Sequence, residues 1–303
     1  MRALARAGAG RGAFDPQRLD ARDPELVEAL LPLFESIARG YLRVRVEGAE
    51  HLRASGPVLY VGNHNGGILG PDLFCTLSML WRHHGPQTPL YALAHDFAMR
   101  RVTPLGRMLA AVGALRAHPT SARLALSAGH SVLVYPGGDL DAYRPFWHRD
   151  RVVFGPRAGF ARVAADAGAS IVPVVAHGAH RSALFFHEGR WLARLLGLRR
   201  WSRIESFPLA LGLPWGVGAG PWVPYLPLPF PIRLRVLAPI RVDRTDDPLA
   251  VRDLVVGRMQ RALDELAAAA SHGPRSGGAD VRERRGSDRE RLSSASPRLG
   301  ARS

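Results

Sequence analysis

The sequence contains no lysine: all 41 of its basic residues are arginine, against 26 aspartates and glutamates. Asparagine is almost missing too, with Asn63 and Asn65 the only two. There is one cysteine, Cys75, which excludes an intrachain disulfide framework and fits a reducing compartment. Mean hydropathy is near neutral, which fits a globular protein rather than a bundle of membrane helices. The opening MRALARAGAGRGAF carries arginines but no apolar run of useful length, so no secretory signal is expected. No fixed internal period is visible, which excludes a repeat architecture.

What is present is 303 residues, 47 % of them hydrophobic, enough for one sizeable core. The formal net charge of +15 points to an anionic partner: nucleic acid, an acidic substrate or an anionic membrane surface. The abundance of Ala, Gly, Pro and Arg is what drift in a GC-rich genome leaves, and part of the charge is its by-product. In a chain that has otherwise lost asparagine, both copies flank His64. That placement points to a local chemical demand, since a neutral amide supplies donors and an acceptor without charge in a turn beside a base.

Residues 1–22 are Arg/Gly/Ala-rich and aperiodic and are expected to be disordered, as is the Arg/Ser-rich tail over 271–303. Between them, 23–270 reads as one domain. A helix is expected over 23–39, with Leu26, Leu30, Leu33 and Ile37 on its apolar face. YLRVRVEG alternates as a half-exposed strand, and PVLYVGNH is a buried strand that runs into a loop. Helices are expected over 71–81, 99–111, 119–128 and 156–167. The strands PLYALAHD, GALRA, SVLVYPGG and SIVPVVA fall between or after them. IRLRVLAPI reads as a last strand and 247–270 as a closing amphipathic helix. This alternation predicts an α/β fold, a single domain with a mostly parallel central sheet flanked by helices. His64, Arg116, Gly137 and His177 then fall at strand ends, where such folds carry chemistry.

The stretch 207–232 has no charged residue but is punctuated by Pro and Gly, so it is no ordinary spanning helix. Two readings are open: an irregular buried cover, or an apolar Trp-bearing surface that docks on a bilayer or holds an acyl chain.

Two constellations can carry chemistry. The first is Gly62-Asn63-His64-Asn65-Gly66-Gly67, with Asp72 eight positions past the histidine. A histidine in a Gly-rich turn at a strand end can move protons, and a carboxylate can hold its tautomer. Asp72 either does this or caps the following helix. The second is Tyr135-Pro136-Gly137-Gly138-Asp139-Leu140-Asp141, whose adjacent glycines let amides approach an anion. Arg144, Arg157, Arg162 and, from another strand, Arg116 are arginines that could bind phosphate. His177, His180 and His187 lack a matching carboxylate motif, so no metal site is expected. No Gly-x-Ser-x-Gly elbow supports a serine hydrolase. A basic nucleic-acid-binding protein without catalysis is the rival from another class, but zinc-finger spacing and an aromatic RNA-binding block are both missing.

In order, NHNGGILGPD, GALR, YPGG and IVPVV resemble the blocks of the glycerolipid and lysophospholipid acyltransferase superfamily. The NH-x-GG and PGG forms are similar to the branch that includes diacylglycerol acyltransferases and plant phytyl ester synthases, and the text around them is similar to bacterial members. The resemblance spans roughly 40–245. It implies a glycerol-phosphate-acyltransferase-like fold and transfer of a fatty acyl group from acyl-CoA or acyl-carrier protein. The acceptor would be a hydroxyl of a glycerolipid or lysophospholipid, with diacylglycerol or a long-chain alcohol as the alternative. It implies catalysis by His64 and Asp72, with backbone N–H groups stabilising the oxyanion and no cofactor beyond the acyl donor. The expected substrate-binding set is Asn63, Asn65, Gly66, Gly67, Arg116, Pro136, Gly137, Gly138, Arg144 and Arg157. The expected partners are the lipid acceptor, the thioester donor and a membrane surface, on the cytoplasmic side and peripheral, with no nucleic acid. Nothing in the sequence fixes an oligomeric state.

Two departures stand out. The common motif has four residues between His and Asp, and here there are seven, so the Gly-Gly loop must bulge for the pair to meet. Gly137 stands where the common third block has Glu, which changes what head group that turn can bind.

Overall fold

The central apolar run Val58–Gly62 (β2) is buried along its whole length, as a strand covered on both faces must be. Its side chains alternate between two cores. Leu59 and Val61 face one cluster, with Leu115, Val132, Phe154, Phe160 and Met259, and Val58 and Tyr60 face the other, with Trp81, Val172, Val174 and Leu234. In this computed structural model, residues 14–53, 56–67, 70–101, 103–202, 204–221 and 225–271 are described.

β2 sits in the middle of a seven-stranded sheet of order β1-β10-β6-β2-β5-β3-β4. The other members are β1 (Arg45–Glu47), β3 (Leu90–Ala94), β4 (Ala114–Arg116), β5 (Ser131–Val134), β6 (Ser170–His177) and β10 (Arg233–Val236). β2 pairs in parallel with both β5 and β6, and β10 runs antiparallel to β6. The sheet is therefore mostly parallel, and the carboxyl end of β2 opens at its centre.

Helices cover both faces. On one side lie α1 (Pro24–Ser36) and α2 (Pro71–His84). On the other lie α4 (Pro119–Ser127), α6 (Gly159–Ala167) and α9 (Pro248–Ser271), while α3 (Thr103–Ala111) leads into β4 and the short α5 (Gly138–Ala142) follows β5. α1 begins at Asp23, whose side chain accepts from Leu26 N at 3.1 Å. Its buried face differs from the expected one. Leu26 and Val27 are buried while Leu33 and Ile37 are exposed, because Phe34 and Ala38 turn inward instead and the helix widens into a π turn over Ile37–Tyr41.

The N-terminal expectation is corrected in part. Leu19–Ala21 form a 3-10 turn, Tyr91 Oη donates to Leu19 O at 3.0 Å, and Phe14 packs on the Met99–Ala110 cluster. Residues 1–13 and 272–303, also expected to be disordered, lie outside the described residues. Residues up to Ala267 form one compact unit, and 268–271 are what is described of a second.

Within the 207–232 stretch, the part over 209–219 is regular rather than irregular. Leu209–Gly212 (β8) and Gly216–Ala219 (β9) make a hairpin that adds to Leu184–His187 (β7) as a small antiparallel sheet. Along the hairpin Leu209, Leu211, Leu213, Trp215 and Val217 are exposed, Trp215 to 62 % and Val217 to 70 %. The intervening Ala210 packs inward with Tyr143, Phe185 and Tyr225. Period-two alternation thus puts every large side chain outside and the small ones inside. Among the described residues, no helix is long and apolar enough to cross a membrane. Between β7 and β8 come two short helices, α7 (Arg190–Leu195) and α8 (Leu198–Ser202).

Candidate active site

His64 lies two residues past the end of β2, and its backbone is held as well as its ring. His64 N donates to Asp141 Oδ2 at 2.6 Å, and His64 O accepts from Arg144 Nη1 at 2.7 Å. The ring is then fixed by Nδ1, which meets Asp72 Oδ2 at 3.2 Å. Asp72 is wholly buried, while 13 % of the His64 side chain stays exposed. The ring also packs on Tyr135, centroids 4.8 Å apart.

The seven-residue spacing closes because the loop bulges. Gly66 and Gly67 both adopt positive φ, 73° and 78°. A Cβ on Gly66 would stand 2.6 Å from Ser182 Oγ, and one on Gly67 would stand 2.8 Å from Tyr225 Oη. Two glycines thus let the chain fold back so that Asp72, in the first turn of α2, faces both His64 and the amide of Asn65, which donates to Asp72 Oδ2 at 3.0 Å. Of the two readings open for Asp72, the geometry matches the imidazole partner.

Burial pulls the His64 pKa down, but the charge and hydrogen bond of Asp72, with Asp141 behind, outweigh it and leave the ring above its ordinary value. His180 is the reverse case. Burial, with the charge of Arg144 adding to it, holds this ring well below the ordinary range and hence neutral. Its Nδ1 accepts from Gly66 N at 3.2 Å and its Nε2 donates to Arg144 O at 2.8 Å.

Much of the expected substrate-binding set is internal wiring instead. Asn63 pairs with β6 as a peptide would: its Nδ2 donates to Ala176 O at 3.1 Å and its Oδ1 accepts from Ala176 N at 2.8 Å. Asn65 donates to Asn63 O at 2.9 Å and accepts from Arg144. Arg144 is 1 % exposed and donates to His148 O, His64 O, Asp141, Asn65 Oδ1 and Arg149 O. No face of it is open to a phosphate. Gly66 and Gly67 shape the loop, and Gly137 is closed in by Asp141 and Val153 O, 2.4 Å from where its Cβ would lie. Burial pushes the Asp141 carboxyl up to about 6 against Arg144 and the two amides of His64 and Val153 that favour its charge. The sequence offered Asp141 only as the end of the Tyr135–Asp141 block and His180 only as a histidine without a metal motif, and neither was expected beside His64.

The expectation that nearby amides form an oxyanion hole meets a constraint. The N–H groups of His64, Asn65, Gly66 and Gly67 already donate to Asp141, Asp72, His180 and Ala142 O. Any oxyanion donor has to come from outside these four.

Pro136, Gly138 and Arg157 do line open space. They border a cavity of about 460 Å³ whose apolar floor includes Leu59, Leu93, Ala122, Phe160 and Val163, and Tyr135 separates it from His64. Arg157 precedes α6 rather than riding on it, and Arg162 faces a different depression beside Arg244. Arg116, at the end of β4, is ion-paired to Asp96 at 2.5 Å. His177 lies 3.6 Å from Asp150, and His187 Nδ1 accepts from Gly189 N. Among the described residues, no three His, Cys, Asp or Glu converge on one point.

The structure thus places a buried His–Asp pair at the carboxyl end of the central strand of a mostly parallel α/β sheet, with a cavity beyond Tyr135. Residues 43–177 match the Acyltransferase family model. The chain shares its fold with the crystal structure of the 1-acyl-sn-glycerophosphate (LPA) acyltransferase PlsC from Thermotoga maritima. That likeness has a TM-score of 0.52 at 16 % identity and covers 88 % of each chain. An uncharacterized protein of Mycobacterium leprae (strain TN) is 29 % identical over 189 residues, which are 62 % of this chain and 51 % of that one. The chain thus spans about half the length of the curated relative it matches.

Proposed function

We propose that the chain transfers a fatty acyl group from a thioester, acyl-CoA or acyl-carrier protein, to a lipid hydroxyl, with His64 as general base and Asp72 as its positioning partner. The observation that carries this is the 3.2 Å contact between His64 Nδ1 and a wholly buried Asp72. With Nδ1 donating to the carboxylate, Nε2 is left as the proton acceptor. The acceptor hydroxyl oxygen attacks the thioester carbonyl carbon as Nε2 removes its proton. The C–S bond then breaks, and the proton passes from His64 to the departing thiolate sulfur. No covalent enzyme intermediate is needed. Incubating the purified protein with labelled acyl-CoA and a lipid extract should move label into an ester lipid. Label that stays on CoA or appears only as free fatty acid would refute transfer.

The exposed hairpin supports peripheral attachment to a membrane. Trp215, Val217, Leu213 and Leu211 form an apolar face, with Trp191 and Leu195 of α7 also exposed and Arg190, Arg194, Arg199 and Arg200 nearby in sequence. Such a face buries its apolar groups in the headgroup region while arginines meet anionic lipid. Flotation with anionic vesicles should therefore recover the protein at the top of the gradient. Trp215→Ser with Val217→Ser should lower the membrane partition constant by about a hundredfold or more, since each large side chain no longer buried removes roughly 1.5–3 kcal/mol. Flotation unchanged by the double substitution would place the contact elsewhere.

A further inference from the structure

The carboxyl end of β6 gathers more positive charge than the acid beside it can match. His177 ends the strand and is 4 % exposed. In the antiparallel pairing of β6 with β10 it stands directly opposite Arg233, so the two side chains share one face of the sheet. The chain then turns at Gly178, φ 89°, into the 3-10 turn Ala179–Ser182 that carries Arg181. Arg149 comes from a separate loop and is stacked on the Phe146 ring, 4.8 Å from its centroid. Asp150 lies between that arginine and the histidine, with Oδ1 3.6 Å from His177 Nε2 and Oδ2 3.5 Å from Arg149 Nε. Both nitrogens are enclosed, and neither makes a hydrogen bond. Burial lowers the His177 pKa, and the charges of Arg181, Arg233 and Arg149 push it the same way against Asp150, which sets all three guanidiniums around the ring.

Other half-buried arginines of the fold have acids of their own: Arg116 meets Asp96, and Arg235 meets Glu47 and Glu265. Among the described residues Arg181 and Arg233 meet none. Asp150 offsets one guanidinium and would oppose an incoming anion, which leaves two guanidiniums in excess. Enclosed nitrogens without partners are costly, and a multiply charged oxyanion satisfies them while taking the forks of the two unmatched arginines. The group is also wired to the active-site loop. Arg144 donates to both His64 O and Arg149 O, and His180, between His177 and Arg181, accepts from Gly66 N. We propose that Arg149, Arg181 and Arg233, arranged around His177, form a phosphate-binding site. The source of the phosphate rests on the acyltransferase reading above: it is the nucleotide end of a CoA donor, which the pantetheine arm holds away from the reacting thioester. An anionic lipid headgroup carries the same chemistry and is the other source to be separated by experiment.

The test titrates the full chain with adenosine 3′,5′-bisphosphate, the nucleotide end of CoA without its arm, in a calorimeter. Saturable binding is expected, and Arg181→Gln with Arg233→Gln should weaken it by about tenfold for each guanidinium removed. In acyl transfer the same variant should raise KM for acyl-CoA but not for acyl-pantetheine, which has no phosphate. A second arm measures flotation on phosphatidylglycerol vesicles. Loss of vesicle binding in the variant, with no nucleotide binding by the parent, would assign the phosphate to a lipid headgroup and overturn the CoA source. Nucleotide and vesicle binding both unchanged in a variant that melts like the parent would overturn the site itself. If Arg233→Gln lowers Tm through its place in the sheet, Arg181→Gln alone, on the 3-10 turn, gives the same reading with about a tenfold loss. Arginine-dependent nucleotide binding by a chain that transfers no acyl group would support the site and sink the acyltransferase reading, so the two fail separately.

Discussion

Replacing His64 with Ala is expected to abolish measurable acyl transfer while leaving the melting temperature near that of the parent. The ring is held at the edge of the core with its surface partly open, and the chain around it is fixed by backbone bonds to Asp141 and Arg144 that Ala retains. General base catalysis contributes roughly 10²–10⁴-fold, and that is the loss to expect in kcat. The pH profile separates a base from a structural histidine. Because Asp72 and Asp141 together outweigh burial and raise the His64 pKa, the neutral, proton-accepting form grows only as pH climbs past a value above about 6.5. The rate should rise with pH through that inflection. Asp72→Asn should move the inflection down and lower the plateau, since the carboxylate that favours imidazolium and fixes the tautomer is gone. Full acyl transfer by His64→Ala, measured with purified lipid acceptors, would sink the assignment. An inflection that Asp72→Asn leaves in place would remove Asp72 from it.

Arg144→Met is expected to have the largest effect on stability. Arg144 reaches the carbonyls of His64, Asp141, His148 and Arg149 and the side chains of Asp141 and Asn65 from a fully enclosed position. Removing it leaves a buried carboxylate and several carbonyls unpaired, at a cost of about 3–5 kcal/mol. For a chain of this size that corresponds to a fall in Tm on the order of 10 °C. Lys should not rescue it, because an ammonium cannot present the planar fork that spans these acceptors. Asp141→Asn in the Arg144→Met background should recover part of the loss by removing the uncompensated charge. A thermal scan of Arg144→Met that overlays the parent would show that the clamp does not hold the loop.

The element pattern was legible because it is local. Continuous apolar runs marked the buried strands, the Asp23-Pro24 start marked α1, and glycines marked the turns. The order of the sheet was not legible: β10 joins β1 to β6, across more than 50 residues of intervening chain on either side, and local periodicity carries no record of such pairing. The hairpin over 209–219 was hidden for a related reason. Its alternation of Leu, Trp and Val with Ala and Gly contains no polar residue to mark the outer face.

Within the candidate site, the two asparagines flank His64 to meet a demand different from the one inferred. They serve as substitute peptide groups that tie the turn to β6 and to Arg144, not as ligands for substrate. Composition can show that a position needs an amide. Only the tertiary structure shows which partners the amide meets, because those partners come from residues about 80 and 110 positions away. The sequence by itself determined the α/β class and carried the ordered blocks that nominate His64, all of which reside in short stretches of chain. The tertiary structure decided that Asp72 reaches the ring across seven residues, that Arg144 is a buried clamp and that Arg116 is spent on Asp96. Those facts depend on side chains that converge in space, where burial and neighbouring charge, rather than residue type, set what each group can do.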